Sequence, residues 1–151
     1  MRHQQCTIYA KNAGVEIAPY EKRHEGYGRE GRISLRFFSM EDSGHQIRFV
    51  AQPGEGYALY RMINKVYQDG GKESLTHKYE GSAGETITKL SVEKYERNGK
   101  PGYAILVQRG SDNINIATCL ADFLYAGEFL KHLSLTEAWV DQTGRGRTSG
   151  S

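Results

Sequence analysis

The residues of this sequence best suited to chemistry are cations and aromatic rings that alternate along short stretches. Tyr20, Lys22, Arg23, Tyr27, Arg29, Arg32 and Arg36 fall in and just before one candidate strand. Lys89, Lys94, Tyr95, Arg97, Lys100, Tyr103 and Arg109 fall along a candidate hairpin. Unpaired nucleic acid asks for this mixture: cations track the phosphates, and exposed rings stack bases at roughly 1–3 kcal/mol each without needing a particular sequence. The pattern has an ordinary structural reading beside this one, since Tyr favours strands and Lys and Arg coat solvent faces.

Other motifs carry less. Gly26-Tyr27-Gly28-Arg29-Glu30-Gly31 has the G-x-G-x-x-G spacing of a dinucleotide fingerprint, which needs a helix to follow so that phosphate meets its N-terminus. A strand pattern follows instead, and the segment reads as a flexible loop. No Walker sequence, G-x-S-x-G elbow or H-E-x-x-H pair is present, and the carboxylates read as solvated surface charges, so no familiar enzyme class is indicated. His3-x-x-Cys6 offers two metal ligands where a structural zinc site takes four; the remaining histidines are scattered, with Cys119 alone. Exposed histidines and a buried thiol are expected, and neither a cofactor nor a metal.

Composition bounds the rest. At 151 residues, 38% of them apolar, the chain suits one soluble domain with one core. The expected division is a single binding domain over 1–141 and a flexible tail over 142–151. A net charge of +2 is too small for a histone-like coat, so a phosphate-binding face must come from local arrangement. Two distant cysteines give no disulfide framework and favour a reducing compartment. No apolar run approaches the roughly 20 residues of a membrane span, and the first residues lack the apolar block of a signal peptide. The expected location is cytoplasmic or nucleoid-associated, or that of a mature organelle form.

Two segments have helical periodicity. Leu59, Met62, Ile63 and Val66 form a stripe between Glu55 and Gln68, opened by Pro53-Gly54 and stopped by Gly70-Gly71. Ala121 to about Val140 is a more apolar helix with a break near Ser134. Strands are expected over Cys6–Tyr9, Val15–Ile17, Arg32–Phe38, Gln46–Val50, Ser74–Tyr79, Thr86–Tyr95, Tyr103–Arg109 and Asn113–Leu120. Ile33, Leu35 and Phe37 alternate with Arg32, Ser34 and Arg36, as in a half-buried strand. The order is strands, helix, strands, helix: an α+β fold of two strands-then-helix halves, with antiparallel sheets packed against two helices.

That layout resembles the Whirly family of single-stranded-DNA-binding proteins and their relatives, the mitochondrial RNA-binding proteins of kinetoplastids. The similarity runs from about Ile8 to Val140, through Arg29-Glu30-Gly31 entering a strand, the hairpin, the helix Glu55–Gln68 and Gly70-Gly71-Lys72-Glu73-Ser74. It continues through Lys89-Leu90-Ser91-Val92-Glu93, the Asn98-Gly99 turn, Tyr103–Gln108 and the long apolar helix reaching Trp139. The family's lysine-rich first-strand motif has its counterpart in Ile8-Tyr9-Ala10-Lys11-Asn12-Ala13-Gly14-Val15, which keeps one lysine, Lys11. The resemblance implies two packed antiparallel sheets, helices that hold a tetramer together, and unpaired strands bound along sheet surfaces and edges.

The expected function is non-enzymatic binding of single-stranded DNA or RNA with little sequence preference, by a homo-oligomer acting in nucleic-acid maintenance or transcription. The alternative is a structural or protein-interaction subunit of a larger assembly. The candidate binding residues are Tyr9, Lys11, Arg36, Lys89, Lys94, Tyr95, Arg97, Lys100, Tyr103 and Arg109. Phe123, Leu124, Leu130, Leu133 and Trp139 are the candidate oligomer contacts. The apolar residues of the second helix wrap more than one side, which requires several burying partners: a sheet, and either a second subunit or the rest of the protein.

Overall fold

A computed structural model describes residues 2–26 and 28–142. The expected tail therefore lies, apart from Gln142, outside the described residues, as does Tyr27.

The first half contains β1 (Cys6–Tyr9), β2 (Ala13–Arg23), β3 (Arg29–Ser39), β4 (Gln46–Ala51) and helix α1 (Pro53–Asp69). The second contains β5 (Gly71–Gly81), β6 (Gly84–Arg97), β7 (Lys100–Arg109), β8 (Asp112–Thr118) and α2 (Leu120–Thr136), and a two-residue strand, β9 (Val140–Asp141), follows. The strands form two antiparallel sheets, one in the order β1-β2-β3-β4 with β9 added to β3, the other in the order β5-β6-β7-β8. This is the expected α+β architecture.

Alternation sends one face of each sheet inward. Val15 and Ile17 lie opposite Phe37 and Leu35 and join Cys6, Ile8, Ile33, Ile47 and Phe49, while Leu90, Val92, Ile105, Val107, Ile114 and Ile116 line the second sheet. Both inner faces meet Leu59, Ile63 and Val66 of α1 and Phe123, Leu130 and Leu133 of α2 in one apolar cluster. Two glycines let the helices close on their neighbours. A Cβ on Gly56 would sit 2.4 Å from Ile33 Cδ1, and one on Gly127 would sit 3.1 Å from Ile63 Cγ2. Pro53 opens α1, and the Glu55 carboxylate accepts a 2.9 Å bond from the Gln52 backbone N–H. Gly70, at φ 78°, ends the helix in the left-handed region, and Gly71, at φ 88°, starts β5 rather than serving as a second stop.

Several expected boundaries move. β2 runs from Ala13 to Arg23 rather than over three residues. Of the Gly26–Gly31 segment, expected as a loop, Arg29, Glu30 and Gly31 already pair with β2. Leu120 belongs to α2 and not to the strand before it. α2 passes Ser134 unbroken, the Ser134 hydroxyl donating to the Lys131 carbonyl, and stops at Thr136, so Trp139 is outside the helix. Of the two thiols Cys6 is the buried one, and Cys119 is exposed. Burial, with the charge of Asp122 adding to it, pushes the Cys6 thiol pKa up.

Candidate nucleic-acid interface

Pairing register assigns each candidate residue to a face. On the outer face of the second sheet, Thr76, Lys89, Gln108 and Asn113 form one cross-strand row and Ser74, Ser91, Leu106 and Asn115 the next. Lys72, Glu93, Ala104 and Ala117 form a third row, followed by Tyr95 beside Gly102 and Arg97 beside Lys100. The Tyr95 ring lies over Gly102, where a Cβ would meet it at 2.4 Å. Only a residue without a side chain leaves room for the ring there. Lys89, Arg97 and Lys100 are exposed, and none of them, nor Lys72, makes an ion pair among the described residues. A shallow depression of about 330 Å³ adjoins Lys89, lined also by Ile87, Gln108 and Gly110. Glu93 is the one carboxylate within these rows.

The outer face of the first sheet has a different electrostatic character. Arg36 is 3.2 Å from Glu16 and its guanidinium lies 4.9 Å from the Phe38 ring centroid. Arg32 is tied to Glu30 at 3.1 Å on this face; at the far end of the hairpin, on the opposite face by register, Arg23 is tied to Glu21 at 2.8 Å and Arg29 bridges Glu21 and Asp141. The hydrogen bond from His24, and then that from Arg32, holds the Glu30 carboxyl below the usual carboxylate range. Tyr9 is 66% exposed and meets Phe38 edge-on at 6.1 Å; Lys11 is exposed at the β1–β2 turn. Arg48, absent from the sequence-based candidates, lies over Tyr20 at 5.4 Å. The signal for it is its place opposite Arg36 in the β3–β4 hairpin.

The remaining candidates face inward or sit at the seams. Tyr103 is 5% exposed, its ring packed on Phe123 at 5.0 Å, and contributes to the core. Lys94 donates to the Tyr67 carbonyl at 3.1 Å, at the last turn of α1. Arg109 donates to Thr88 Oγ1 and to the Arg48 carbonyl, each at 2.9 Å, and so joins the two sheets. The structure therefore gathers Lys89, Tyr95, Arg97 and Lys100 on one surface, sets Tyr9, Lys11 and Arg36 on another, and gives Lys94, Tyr103 and Arg109 internal contacts.

The candidate oligomer contacts divide similarly. Phe123, Leu130 and Leu133, at 0%, 2% and 0% exposure, are used by the chain's own core, and Leu124 is half-buried against it. Trp139 covers Gly31 and its indole N–H donates to Glu137 at 3.2 Å. The rings and side chains that α1 and α2 leave exposed are Tyr57, Tyr67, Tyr125 and Leu135.

Three histidines take carboxylate partners: His24 with Glu30, His45 with Asp112 and His77 with Glu55. Among the described residues no three His, Cys, Asp or Glu side chains gather closely enough to hold a metal ion. No described helix is long and apolar enough to cross a membrane.

No protein-family model and no curated protein sequence matches the chain. Solved structures do match it. The plant transcriptional regulator PBF-2 superposes with a TM-score of 0.60 at 16% identity, over 91% of this chain and 83% of that one. WHY1 from Arabidopsis thaliana gives a TM-score of 0.58 at 15% identity, over 91% of this chain and 86% of that one. WHY3 from the same plant gives 0.55 at 18% identity, over 91% of this chain and 89% of that one. At these identities the likeness is one of fold: two antiparallel sheets and two helices in this order make the Whirly-type fold.

Proposed function

We propose that this protein binds single-stranded DNA, or RNA, with little sequence preference, on the outer face of its four-stranded sheet, working as an oligomer and without catalysis. The observation that carries the reading is the set of free cations there. Among the described residues Lys89, Arg97 and Lys100 make no ion pair, whereas arginines of the other sheet are already paired. Free cations neutralise phosphates and release counterions at no cost in broken ion pairs. The Tyr95 ring, packed over Gly102, supplies a stacking group among them, and Gln108, Asn113 and Asn115 supply neutral hydrogen-bonding groups. Tyr9, Lys11 and Arg36 extend this reading to the first sheet as a second, weaker contact. The shared fold with a plant transcriptional regulator supports a role in transcription or nucleic-acid maintenance, beside the nucleoid or other cellular DNA and RNA.

The test is a fluorescence-anisotropy titration of labelled single-stranded DNA, single-stranded RNA and duplex DNA at several salt concentrations. Binding to single strands should fall linearly in log salt. Lys89→Ala and Arg97→Ala should each flatten that slope by about 0.7 for every phosphate left without its cation, for all sequences alike. Tyr95→Ala should weaken binding by roughly 1–3 kcal/mol and leave the slope intact. No binding to any of the three at low salt would overturn the reading in favour of a protein-interaction subunit.

A further inference from the structure

Among the described residues the longest open strand edge belongs to β5. It is an end strand of eleven residues, Gly71–Gly81, in unbroken register with β6 and without proline. The other end strands, β1, β4 and β8, have four, six and seven residues. Apart from the β6 ladder, no backbone group of β5 has a backbone partner among the described residues. The β5–β6 ribbon also outruns its sheet: β7 pairs with β6 only from Thr88 onward, leaving Tyr79 70% exposed. A long, flat, unpaired edge is a template for another strand, and a free two-stranded ribbon is marginal alone.

The charges on this strand specify which other strand. Lys78 is satisfied by Glu85 at 3.7 Å. Glu80 stands opposite Glu85 in the β5–β6 register, a like-charge pair, and has no cation of its own among the described residues. At the other end of β5, on the same outer face, Lys72 stands opposite Glu93 and makes no ion pair among the described residues. The strand thus carries one unpaired charge of each sign near its two ends.

We propose that β5 pairs antiparallel with β5 of a second copy of this chain, about a two-fold axis through Thr76. Full overlap sets Gly71 against the partner's Gly81 and brings Lys72 against the partner's Glu80, twice by symmetry. Ser74 meets the partner's Lys78 and Thr76 meets its own counterpart. A slip of two residues in one direction sets Lys72 against the partner's Lys78, and in the other sets His77 against itself. The register with the most ladder is therefore also the one with complementary charge. Because the axis is normal to the sheet, both outer faces stay on one side, and two four-stranded sheets become one eight-stranded surface.

The experiment is sedimentation equilibrium and light scattering of the full chain, without nucleic acid, so that its outcome is independent of strand binding. The wild-type mass should be an even multiple of 17.0 kDa. Glu80→Lys, and separately Lys72→Glu, should raise the dissociation constant of the pairing about tenfold, because two attractive cross-strand pairs become repulsive. The double variant Lys72→Glu with Glu80→Lys should restore it to within about threefold. Both positions are exposed, so unchanged circular dichroism should accompany each variant. A wild type that stays monomeric, a single reversal without effect, or a double reversal that fails to restore the mass would each overturn the proposal.

Discussion

Glu30 shows what a single residue position contributes. Its carboxylate accepts hydrogen bonds from His24 and Arg32, and those bonds favour the charged form, so its pKa lies below the ordinary value of about 4.3. In the window between the two values the unfolded chain takes up a proton that the folded chain does not. The stabilisation from Glu30 is therefore complete above about pH 5 and disappears as pH falls through the depressed folded value. Glu30→Gln should make the melting temperature less steep in pH below about 5, as followed by circular dichroism. An acid limb identical to wild type would mean that the pairing contributes nothing. Neither the pairing nor its partner is legible in the sequence. His24 and Glu30 lie in and beside a segment whose spacing reads as a glycine loop, and only the β2–β3 register brings them together. The burial of Tyr103 is hidden for a related reason: a tyrosine in a strand has the same local signature on either face, and the face depends on where the chain turns.

At the scale of elements, periodicity locates most strands and both helices, and it fails where tertiary contacts override local pattern. β2 reads as short because Pro19 interrupts it. The structure tolerates that proline because β1 pairs with β2 only over Gly14–Ile17, leaving the backbone of Pro19 on an open edge. α2 reads as too long because Trp139 continues the apolar pattern. In fact the chain turns after Glu137, whose N–H donates to the Leu133 carbonyl, and carries the indole across Gly31. The apolar residues around α2 leave two burying partners open, and the structure buries most of them within the chain's own core. Leu130→Asp should then destabilise folding by more than about 4 kcal/mol, whereas Leu135→Asp, at a position 73% exposed, should stay within about 0.5 kcal/mol. Urea denaturation at fixed protein concentration measures both. Comparable destabilisation by the two would mean that the exposed side of α2 is covered by another chain.

For the whole molecule, the relation between the two sheets matters more than any single strand. Beyond the shared core they are joined at one seam by Arg109, which donates from β7 to the Arg48 carbonyl of β4, and by His45 with Asp112 at 2.8 Å. Arg109 is a sequence candidate for phosphate contact, and its geometry gives it a second role. Arg109→Leu should lower the unfolding free energy by about 1–2 kcal/mol while leaving the salt slope of strand binding intact. A flattened slope with unchanged stability would return Arg109 to the phosphate-binding set. A more distant connection is made by β9, where Arg29 meets Asp141 at 2.8 Å although the two are 112 positions apart in the chain. On a ribosome adding about 5–20 residues each second, Asp141 appears roughly 6 to 22 s after Arg29. Through that interval Gly31 has neither the Trp139 indole above it nor the Trp139 carbonyl to receive its N–H, a bond of 3.0 Å in the finished protein. The first sheet to be synthesised is thus the last to be completed, and a nascent chain stalled before Trp139 keeps one end of β3 open to chaperones and proteases.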